Sequence, residues 1–278
     1  MDLIPKELHL YWDGSPMSKL QMFTVVSFHK YNPNWKINVY TAKQSYNGNA
    51  KYIPDYRGKD YFPELKALNY ITLNIIDLDD YNIGHNLHGI LRSDIFRYHI
   101  LYNIGGVWSD FDVLWLKPME HFHNIKYHGN TPIEEVTDVV SFINGTGGGH
   151  SIGIMIHAKN TAYMQSVLEA VNGVKPPYKH ESFGSVMLSR HGPTLDSLAK
   201  YGNVIGTRFE TYYPYNIHPP NVTIQKLYSG IDLNCINDNV MCVHWYNGRR
   251  ESKNYVNNNS GFKTNCSMTT LLRNEGCI

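Results

Sequence analysis

The sequence predicts an α/β fold with a mixed, mostly parallel central sheet flanked by helices. The first observation is a strand–helix–strand pattern at the start of the 278-residue chain. Strand-like stretches at Glu7–Trp12 and Lys36–Thr41 enclose a helical stretch that runs to about Tyr31. The second is that strand and helix patterns keep alternating beyond this unit, without an internal repeat or a linker. Such alternation places helices on the faces of one sheet, and ligands bind at the carboxyl ends of its strands.

The elements beyond this unit are predicted from periodicity and from glycine and proline signals. The helix Leu87–Asn103 carries an apolar stripe and ends at Gly105-Gly106, as helices commonly do. Short strands at Val107–Trp108 and Val113–Leu116 follow it. The remaining predictions are a short helix ending near Asn69, strands at Tyr70–Ile76, Val139–Ile143, Ile152–His157 and Val240–Trp245, and helices at Thr161–Val171, Glu181–Arg190, Thr194–Tyr201 and Met268–Arg273.

The composition is that of a globular protein without a strong overall charge. With 42% hydrophobic residues the chain can bury a real core, and a net charge of +1 creates no field that would recruit nucleic acid or an anionic membrane. The start of the chain lacks the pattern of a signal peptide, and no run of about 18 apolar residues occurs. We therefore expect a cytoplasmic or soluble protein whose four cysteines are reduced.

Two aspartates one residue apart, Asp110 and Asp112, stand in the otherwise apolar stretch 105–115. A carboxylate in a mostly buried segment is costly unless arginine, hydrogen bonds, solvent or a cation compensates its charge. Residues i and i+2 of such a segment point to the same side, so both carboxylates can reach one cation, and their oxygens suit Mg²⁺ or Mn²⁺. The alternative is a pair of surface carboxylates at a strand end. The neighbouring Trp108, Phe111 and Trp115 favour the cation site.

The helix before this pair carries Arg92, Asp94 and Arg97. Such residues commonly form a salt-bridged helix face. A carboxylate and a guanidinium that point into one crevice also suit recognition of sugar hydroxyls and a diphosphate, because the first accepts hydrogen bonds and the second donates them in a fixed geometry. The position one helix before the aspartates favours this second interpretation.

Trp12 and His244 each have two interpretations. Trp12 is either a core residue or, at the end of the first strand, a platform on which a nucleotide base stacks. His244 is either a structural histidine or a third metal ligand. The histidines at positions 85, 88, 121, 123 and 128 form no zinc pattern and are predicted at the surface. The glycine-rich segment 145–149 lacks the lysine of a phosphate-binding loop and is predicted to be a flexible loop.

Several segments together resemble the glycosyltransferase family with the DXD sugar-binding motif. Ile4–Gly14 (Ile-Pro-Lys-Glu-Leu-His-Leu-Tyr-Trp-Asp-Gly) is similar to the opening of that family, and Leu91–Tyr98 with Gly105–Asp112 is similar to its core motif. The family includes initiating mannosyltransferases of the yeast type, capsular polysaccharide synthesis enzymes and, more distantly, the large glucosylating cytotoxins. His191-Gly192-Pro193 and Val243-His244-Trp245 are similar to later landmarks. A departure is His150-Ser151-Ile152-Gly153, where many members place an asparagine.

The resemblance implies a glycosyltransferase-A fold, a nucleotide-sugar donor that is usually UDP-linked, and dependence on Mn²⁺ or Mg²⁺. It implies one catalytic domain over residues 1–250, with a nucleotide-sugar half at about 1–120 and an acceptor half at about 121–250. The polar, asparagine-rich residues 251–278 are predicted to form a mobile tail with a short final helix, and this tail is a candidate lid.

The resemblance also implies roles for single residues. Asp112 would bind the metal directly, and His244 would complete the coordination. Asp110 would bind through the ribose, through water or through the metal. Asp94 and Arg97 would hold the donor's sugar hydroxyls and phosphate, and Arg249 or Arg250 would assist the departing diphosphate. The remaining predicted donor contacts are Leu10, Tyr11, Trp12, Ser93 and Gly248. Of these, Trp12 would stack on uracil.

The function expected from these residues is hexose transfer from a UDP-sugar to a hydroxyl acceptor, with retention at the anomeric carbon. The acceptor would be a glycan, a lipid-linked sugar or a protein, as in polysaccharide biosynthesis. The sequence shows no obvious nucleophile, so front-face displacement and a covalent intermediate both stay open. One alternative is a catalytically silent protein that binds a nucleotide sugar or a glycan. Another, a metal-dependent nucleotidyltransferase or phosphatase, lacks an acidic cluster for a second metal.

Overall fold

A computed structural model describes residues 3–44, 56–142, 150–179, 182–191, 200–217, 222–258 and 262–278. The helices among these residues are α1 (Lys19–Tyr31), α2 (Phe62–Lys66), α3 (Gly89–Asn103), α4 (Ala162–Gly173), α5 (Ser185–His191), α6 (Ile224–Tyr228), α7 (Arg250–Asn258) and α8 (Ser267–Asn274). The strands are β1 (Glu7–Trp12), β2 (Lys36–Ala42), β3 (Ile71–Ile76), β4 (Gly106–Ser109), β5 (Val113–Trp115), β6 (Tyr127–His128), β7 (Asp138–Phe142), β8 (Ile154–His157), β9 (Val204–Arg208) and β10 (Cys242–His244).

The central sheet has eight strands in the order β3-β2-β1-β4-β8-β7-β9-β6. Parallel pairing joins β3, β2, β1 and β4, and also β7 and β9, whereas β8 and β6 pair antiparallel with their neighbours. Strands β5 and β10 form a separate antiparallel pair. The predicted α/β class, a mixed and mostly parallel sheet flanked by helices, is confirmed.

The central sheet is covered on both faces. Alternate residues of its strands point to opposite sides, so each strand contributes side chains to both covering layers. In β1, Leu8 and Leu10 belong to one buried cluster together with Phe23 of α1. Tyr11 belongs to a second cluster together with Phe96 of α3. The end of β1 therefore lies between two helical layers, and this placement brings its last residues to the site described below.

Helix α1 begins with a capping box, in which the side chains of Ser18 and Gln21 each accept a hydrogen bond from the other residue's backbone N–H.

Gly106, the first residue of β4, lies close to the backbone of β1. It has φ +104°, and a β-carbon there would lie 2.5 Å from the backbone oxygen of Glu7. Only glycine allows the start of β4 to approach β1 this closely.

The predicted elements up to β5 match the structure to within a few residues, and Asp110 and Asp112 lie between β4 and β5 as expected. Strands β6 and β9 and helix α6 were not predicted. The expectation that residues 251–278 form a mobile tail with only a short final helix is wrong over Arg250–Asn258, which is helix α7. The predicted loop at 145–149 lies outside the described residues. Other predictions lie partly outside them: the strand Val139–Ile143, the helices Glu181–Arg190 and Thr194–Tyr201, the landmark at 191–193 and the tail at 251–278.

The C-terminal segment packs against the main core. Tyr255 of α7 and Met268, Leu271 and Leu272 of α8 are buried in the same cluster as β1 and α1. The four cysteines carry free thiols, as expected. Among the described residues, no helix combines the length and the hydrophobicity that crossing a bilayer requires.

Candidate active site

A cavity of about 670 Å³ opens at the carboxyl ends of β1 and β4. Its lining comes from the end of β1, the first turns of α3, the β4–β5 connection, the segment before β8, the segment after β10, and α7. Parallel strands of an α/β sheet carry their ligand crevice at this edge. The cavity lies where the sequence predicts a binding site.

Three potential metal ligands meet at the wall of the cavity. One ligand atom from each of Asp110, Asp112 and His244 lies within 4.8 Å of the other two. The aspartates flank Phe111, whose ring packs edge-on against Trp12 at a centroid distance of 5.3 Å. This arrangement directs both carboxylates to one side, as the i, i+2 spacing predicts.

Asp112 is held by residues near the C-terminus. The backbone N–H of Asn247 donates to its Oδ2 (2.8 Å), and Nε2 of His244 lies 3.0 Å from its Oδ1. The backbone N–H of Trp245 donates to the carbonyl of Asp112 (2.8 Å). Burial acts to raise the pKa of this carboxyl, but the imidazole of His244 and the Asn247 N–H outweigh it and place the pKa below its ordinary value.

Asp110 is held by residues of the first half of the chain and by Gly153. Its Oδ1 accepts from Trp108 Nε1 (2.9 Å) and lies 3.3 Å from a guanidinium nitrogen of Arg97. Its backbone N–H donates to the carbonyl of Gly153 (2.8 Å). Burial raises the pKa of Asp110, and the nearby charge of Asp112 adds to this effect while Arg97 opposes it.

Arg97 is a structural partner of the aspartates. Its guanidinium donates to Asp94 Oδ1 (2.7 Å), to Ser93 Oγ (3.2 Å) and to the carbonyl of Ile152 (2.6 Å). It also lies 4.9 Å from the ring of Trp108. Both Arg97 and Asp94 are buried, at 2% and 4% exposure, although both border the cavity. The salt bridge that is one of the two interpretations of this helix face is therefore formed, and its residues also border the cavity.

The structure brings the predicted donor-contact residues to the cavity with one exception. Leu10 is fully buried and does not border the cavity, so its predicted contact with a ligand is not supported. The others, which do line it, are Tyr11, Trp12, Ser93, Asp94, Arg97, Asp110 and Gly248, and the cavity also reaches Arg249. Trp12 is only 7% exposed, and its Nε1 donates to the carbonyl of Ser15 (2.8 Å).

Arg92 does not share the cavity. Its guanidinium donates to the carbonyls of Gln44 (3.0 Å) and His85 (2.6 Å), so it ties the end of β2 to the segment that precedes α3. His88 was predicted at the surface, but it is half-buried and borders the cavity at the start of α3.

Tyr213, Asn247 and Gly153 are site residues that the sequence does not reveal. Tyr213 and Gly153 border the cavity beside His244, and Asn247 acts through its backbone. No short-range pattern marks these positions, because their contacts join segments that are far apart in the sequence. Lys253 and Asn257 of α7 also border the cavity, and the loop prediction for this segment concealed them.

The ligand set fits a divalent cation. Two carboxylates and an imidazole provide oxygen and nitrogen donors, which suit Mn²⁺ and, less specifically, Mg²⁺. The exposed fractions of the side chains of Asp110 and Asp112 are 30% and 16%, so the cluster is reached from the cavity. Arg97 is shared between Asp94 and Asp110, so the three carboxylates carry more negative charge than one guanidinium compensates, and a cation would compensate part of the excess.

Comparisons with known proteins find one matching family model and several similar solved structures. Residues 18–132 match the sequence model of a family described as the glycosyltransferase sugar-binding region containing the DXD motif. No curated protein matches the chain. Among solved structures, the PaToxG glycosyltransferase is similar with 16% identity and a TM-score of 0.47, over 68% of this chain and 67% of that chain.

Two further structures are similar to this chain. The galactosyltransferase LgtC, solved with donor and acceptor sugar analogs, has 12% identity and a TM-score of 0.45, over 98% of this chain and 94% of that one. The UDP-bound glycosyltransferase domain of the YGT toxin has 11% identity and a TM-score of 0.37, over 70% of this chain and 69% of that one. The matched residues 18–132 include the sequence Asp110-Phe111-Asp112.

Proposed function

We propose that this protein transfers a hexose from a UDP-sugar to a hydroxyl acceptor in a reaction that depends on Mn²⁺ or Mg²⁺. The observation that carries the proposal is the meeting of Asp110, Asp112 and His244 within 4.8 Å, at the wall of a cavity that the matched residues 18–132 line in part. A binding site for sugar alone needs no such ligand set. A leaving diphosphate does need a positive charge beside it.

In this proposal Asp112 and His244 bind the cation directly, and Asp110 binds it directly or through water or ribose. A bound divalent cation supplies Lewis-acid stabilisation of the negative charge that develops on the leaving diphosphate. Arg249 stands at the exposed rim of the cavity, where its guanidinium can donate to phosphate oxygens. Leaving-group stabilisation is then the main contribution of these residues to the rate.

The donor's other contacts are assigned from the lining of the cavity. We assign Asp94 to accept from sugar hydroxyls, with Arg97 fixing its orientation through the 2.7 Å ion pair. Ser93, Gly248, Tyr11 and Trp12 are assigned to the nucleotide. Because Trp12 is only 7% exposed, a small part of its surface is available for contact with the base.

We further propose that the reaction proceeds with retention and that the acceptor is a glycan, a lipid-linked sugar or a protein. The nucleotide-sugar half at about 1–120 supplies Asp110 and Asp112, while the acceptor half at about 121–250 supplies Gly153 and His244. Helix α7 contributes Lys253 and Asn257 to the rim, which supports a role for this helix in covering the bound donor.

The test is a panel of UDP-, GDP- and dTDP-sugars assayed for hydrolysis and transfer with Mn²⁺, and after chelation with EDTA. Asp112→Asn is expected to abolish turnover and to retain the fold, because it keeps the side-chain size. Asp80→Asn, at an exposed aspartate that does not line the cavity, is the matched control and is expected to leave turnover unchanged. NMR of the product's anomeric proton reports retention or inversion.

Two outcomes would contradict the proposal. Turnover of Asp112→Asn at the wild-type rate would remove the metal cluster from the reaction. Calorimetry that shows binding of Mn²⁺ and UDP, without turnover of any donor on the panel, would instead support a catalytically silent nucleotide-sugar-binding protein.

A further inference from the structure

The imidazole of His244 is enclosed by aromatic rings. The ring of Tyr213 lies 4.8 Å from it with an interplanar angle of 37°, and the ring of Tyr246 lies 4.5 Å from it at 66°. The backbone N–H of Tyr246 approaches Nδ1 (3.3 Å), and Nε2 faces Asp112. The orientation of the imidazole is thus set by its neighbours before any ion binds.

Gly153 provides the remaining side of this enclosure. A β-carbon at this position would lie 3.0 Å from Nε2 of His244 and 2.8 Å from the hydroxyl oxygen of Tyr213. The first distance is tighter than ordinary contacts and the second is shorter than side chains tolerate. Gly153 does not need glycine for its backbone conformation, because its φ lies outside the left-handed region. The requirement for glycine at 153 is therefore the space that the two rings occupy.

Tyr213 is itself fixed. Its ring stacks on Phe209 at a centroid distance of 4.3 Å with an interplanar angle of 5°, and its backbone N–H donates to the carbonyl of Phe209 (3.0 Å). Its hydroxyl group is hydrogen-bonded to the hydroxyl of Ser151. A ring held at its face, its backbone and its hydroxyl presents a rigid surface to His244.

The same residues also reach the first aspartate. The carbonyl of Gly153 accepts from the backbone N–H of Asp110 (2.8 Å), and the hydroxyl partner of Tyr213, Ser151, lies two residues before Gly153. A shift of the 151–153 segment would therefore move His244 and Asp110 together.

We propose that Tyr213 and Gly153 are positioning residues that fix His244 as a metal ligand opposite Asp112. This inference deepens the proposed function and rests on its assignment of His244 to the cation. Residues that orient a metal ligand without touching the metal typically change its affinity by about 10- to 100-fold when they are altered.

The ordinary alternative is that Tyr213 and Gly153 only fill the core. Loss of packing would then lower stability and would leave the affinity of the folded protein for Mn²⁺ unchanged. The two interpretations differ in a quantity that can be measured without turnover.

The experiment measures the Kd of Mn²⁺ alone by isothermal titration calorimetry, with the melting temperature recorded for every variant. Gly153→Ala is expected to weaken Mn²⁺ binding about 10- to 100-fold. Adding Tyr213→Phe to Gly153→Ala removes the oxygen that stands 2.8 Å from the new methyl group, so the double variant is expected to regain part of the affinity. Gly173→Ala, where an added methyl meets nothing within 4 Å, is the matched control and is expected to bind as wild type.

Wild-type affinity in folded Gly153→Ala would overturn the inference. If Gly153→Ala does not fold, Tyr213→Leu decides, because it keeps an apolar side chain and removes the ring face that contacts His244. Weakened binding in folded Tyr213→Leu supports the inference, and unchanged binding overturns it. A wild-type protein that binds no Mn²⁺ would refute the metal assignment of the proposed function itself, which distinguishes that failure from this one.

Discussion

Replacing Arg97 by leucine tests whether the buried ion pairs behind the aspartates hold the site together. The side chains of Arg97 and Asp94 are 3% and 5% exposed, and their charged atoms lie 2.7 Å apart. The same guanidinium lies 3.3 Å from Asp110, whose side chain is 30% exposed. Leucine keeps much of the apolar stem and removes every donor.

The expected loss of stability follows from the ion pairs and hydrogen bonds that Arg97 makes in the wild-type protein. Breaking a buried ion pair by removing one partner costs about 3–5 kcal/mol, because the remaining charge stays in a poorly solvated position. Asp94, whose side chain is 5% exposed, loses its 2.7 Å ion pair with Arg97, whereas Asp110 can be solvated from the cavity. The carbonyl of Ile152 also loses its 2.6 Å hydrogen bond. Against a typical total of about 5–15 kcal/mol for a folded protein, this loss is a large fraction.

Equilibrium unfolding in urea, followed by tryptophan fluorescence, measures the effect. We expect Arg97→Leu to lower the free energy of unfolding by about 3–5 kcal/mol. The double variant Asp94→Asn/Arg97→Leu is expected to lose less than the sum of the single variants, by about 0.5–3 kcal/mol, because residues in one ion pair couple. A loss below about 1 kcal/mol for Arg97→Leu, in the range of an exposed pair, would refute the reasoning.

Three further predictions concern the frame around the site. Burial lowers the pKa of His9 to about 4. The neutral imidazole therefore contributes its full stability above the unfolded pKa of about 6.5, and up to about 3 kcal/mol of stability is lost as the pH falls from there towards 4. Urea unfolding at pH 7 and pH 4.5 should show a smaller pH dependence of the free energy of unfolding for His9→Gln than for wild type. Gly106→Ala combines an unfavourable φ of +104° with a methyl group 2.5 Å from the oxygen of Glu7, and we expect a loss of at least about 1–3 kcal/mol, whereas Gly173→Ala should lose nothing. Leu272→Ala removes a fully buried side chain of α8, and a loss of about 2–5 kcal/mol in the same assay is expected; a loss near zero would mean that α8 is not part of the core.

The sequence predicts the first half of the fold because its patterns are local. Strands β1 and β2 alternate apolar residues, and α1 and α3 carry continuous apolar stripes between clear end signals. Strand β9 escapes prediction because Gly206 interrupts its five residues. Helix α7 escapes because its sequence is polar and asparagine-rich, while tertiary contacts support it. Ser252 Oγ donates to the carbonyl of Trp245 (2.6 Å), and the hydroxyl of Tyr255 is hydrogen-bonded to that of Thr269 (2.8 Å).

Some residues of the candidate site can likewise be predicted from local sequence patterns, and others cannot. Asp110 and Asp112 can be found from sequence because carboxylates in an apolar stretch demand compensation. Arg97 and His244 can also be found from the sequence, whereas the residues that orient this group cannot be found so directly. Tyr213 and Gly153 act through contacts between distant segments, and Asn247 acts through a backbone N–H that any residue except proline carries.

The DXD segment is completed by residues outside the family match at 18–132. Strand β5 follows Asp112 directly and pairs with β10, in the register Val113 to His244. This pairing brings the backbone of Trp245 to the carbonyl of Asp112 and the imidazole of His244 to its carboxylate. A chain cut after the matched region would keep both aspartates and lose the imidazole, the Asn247 N–H and the strand that orients them. The three-residue cluster proposed to hold the cation therefore forms only when β10 has paired with β5.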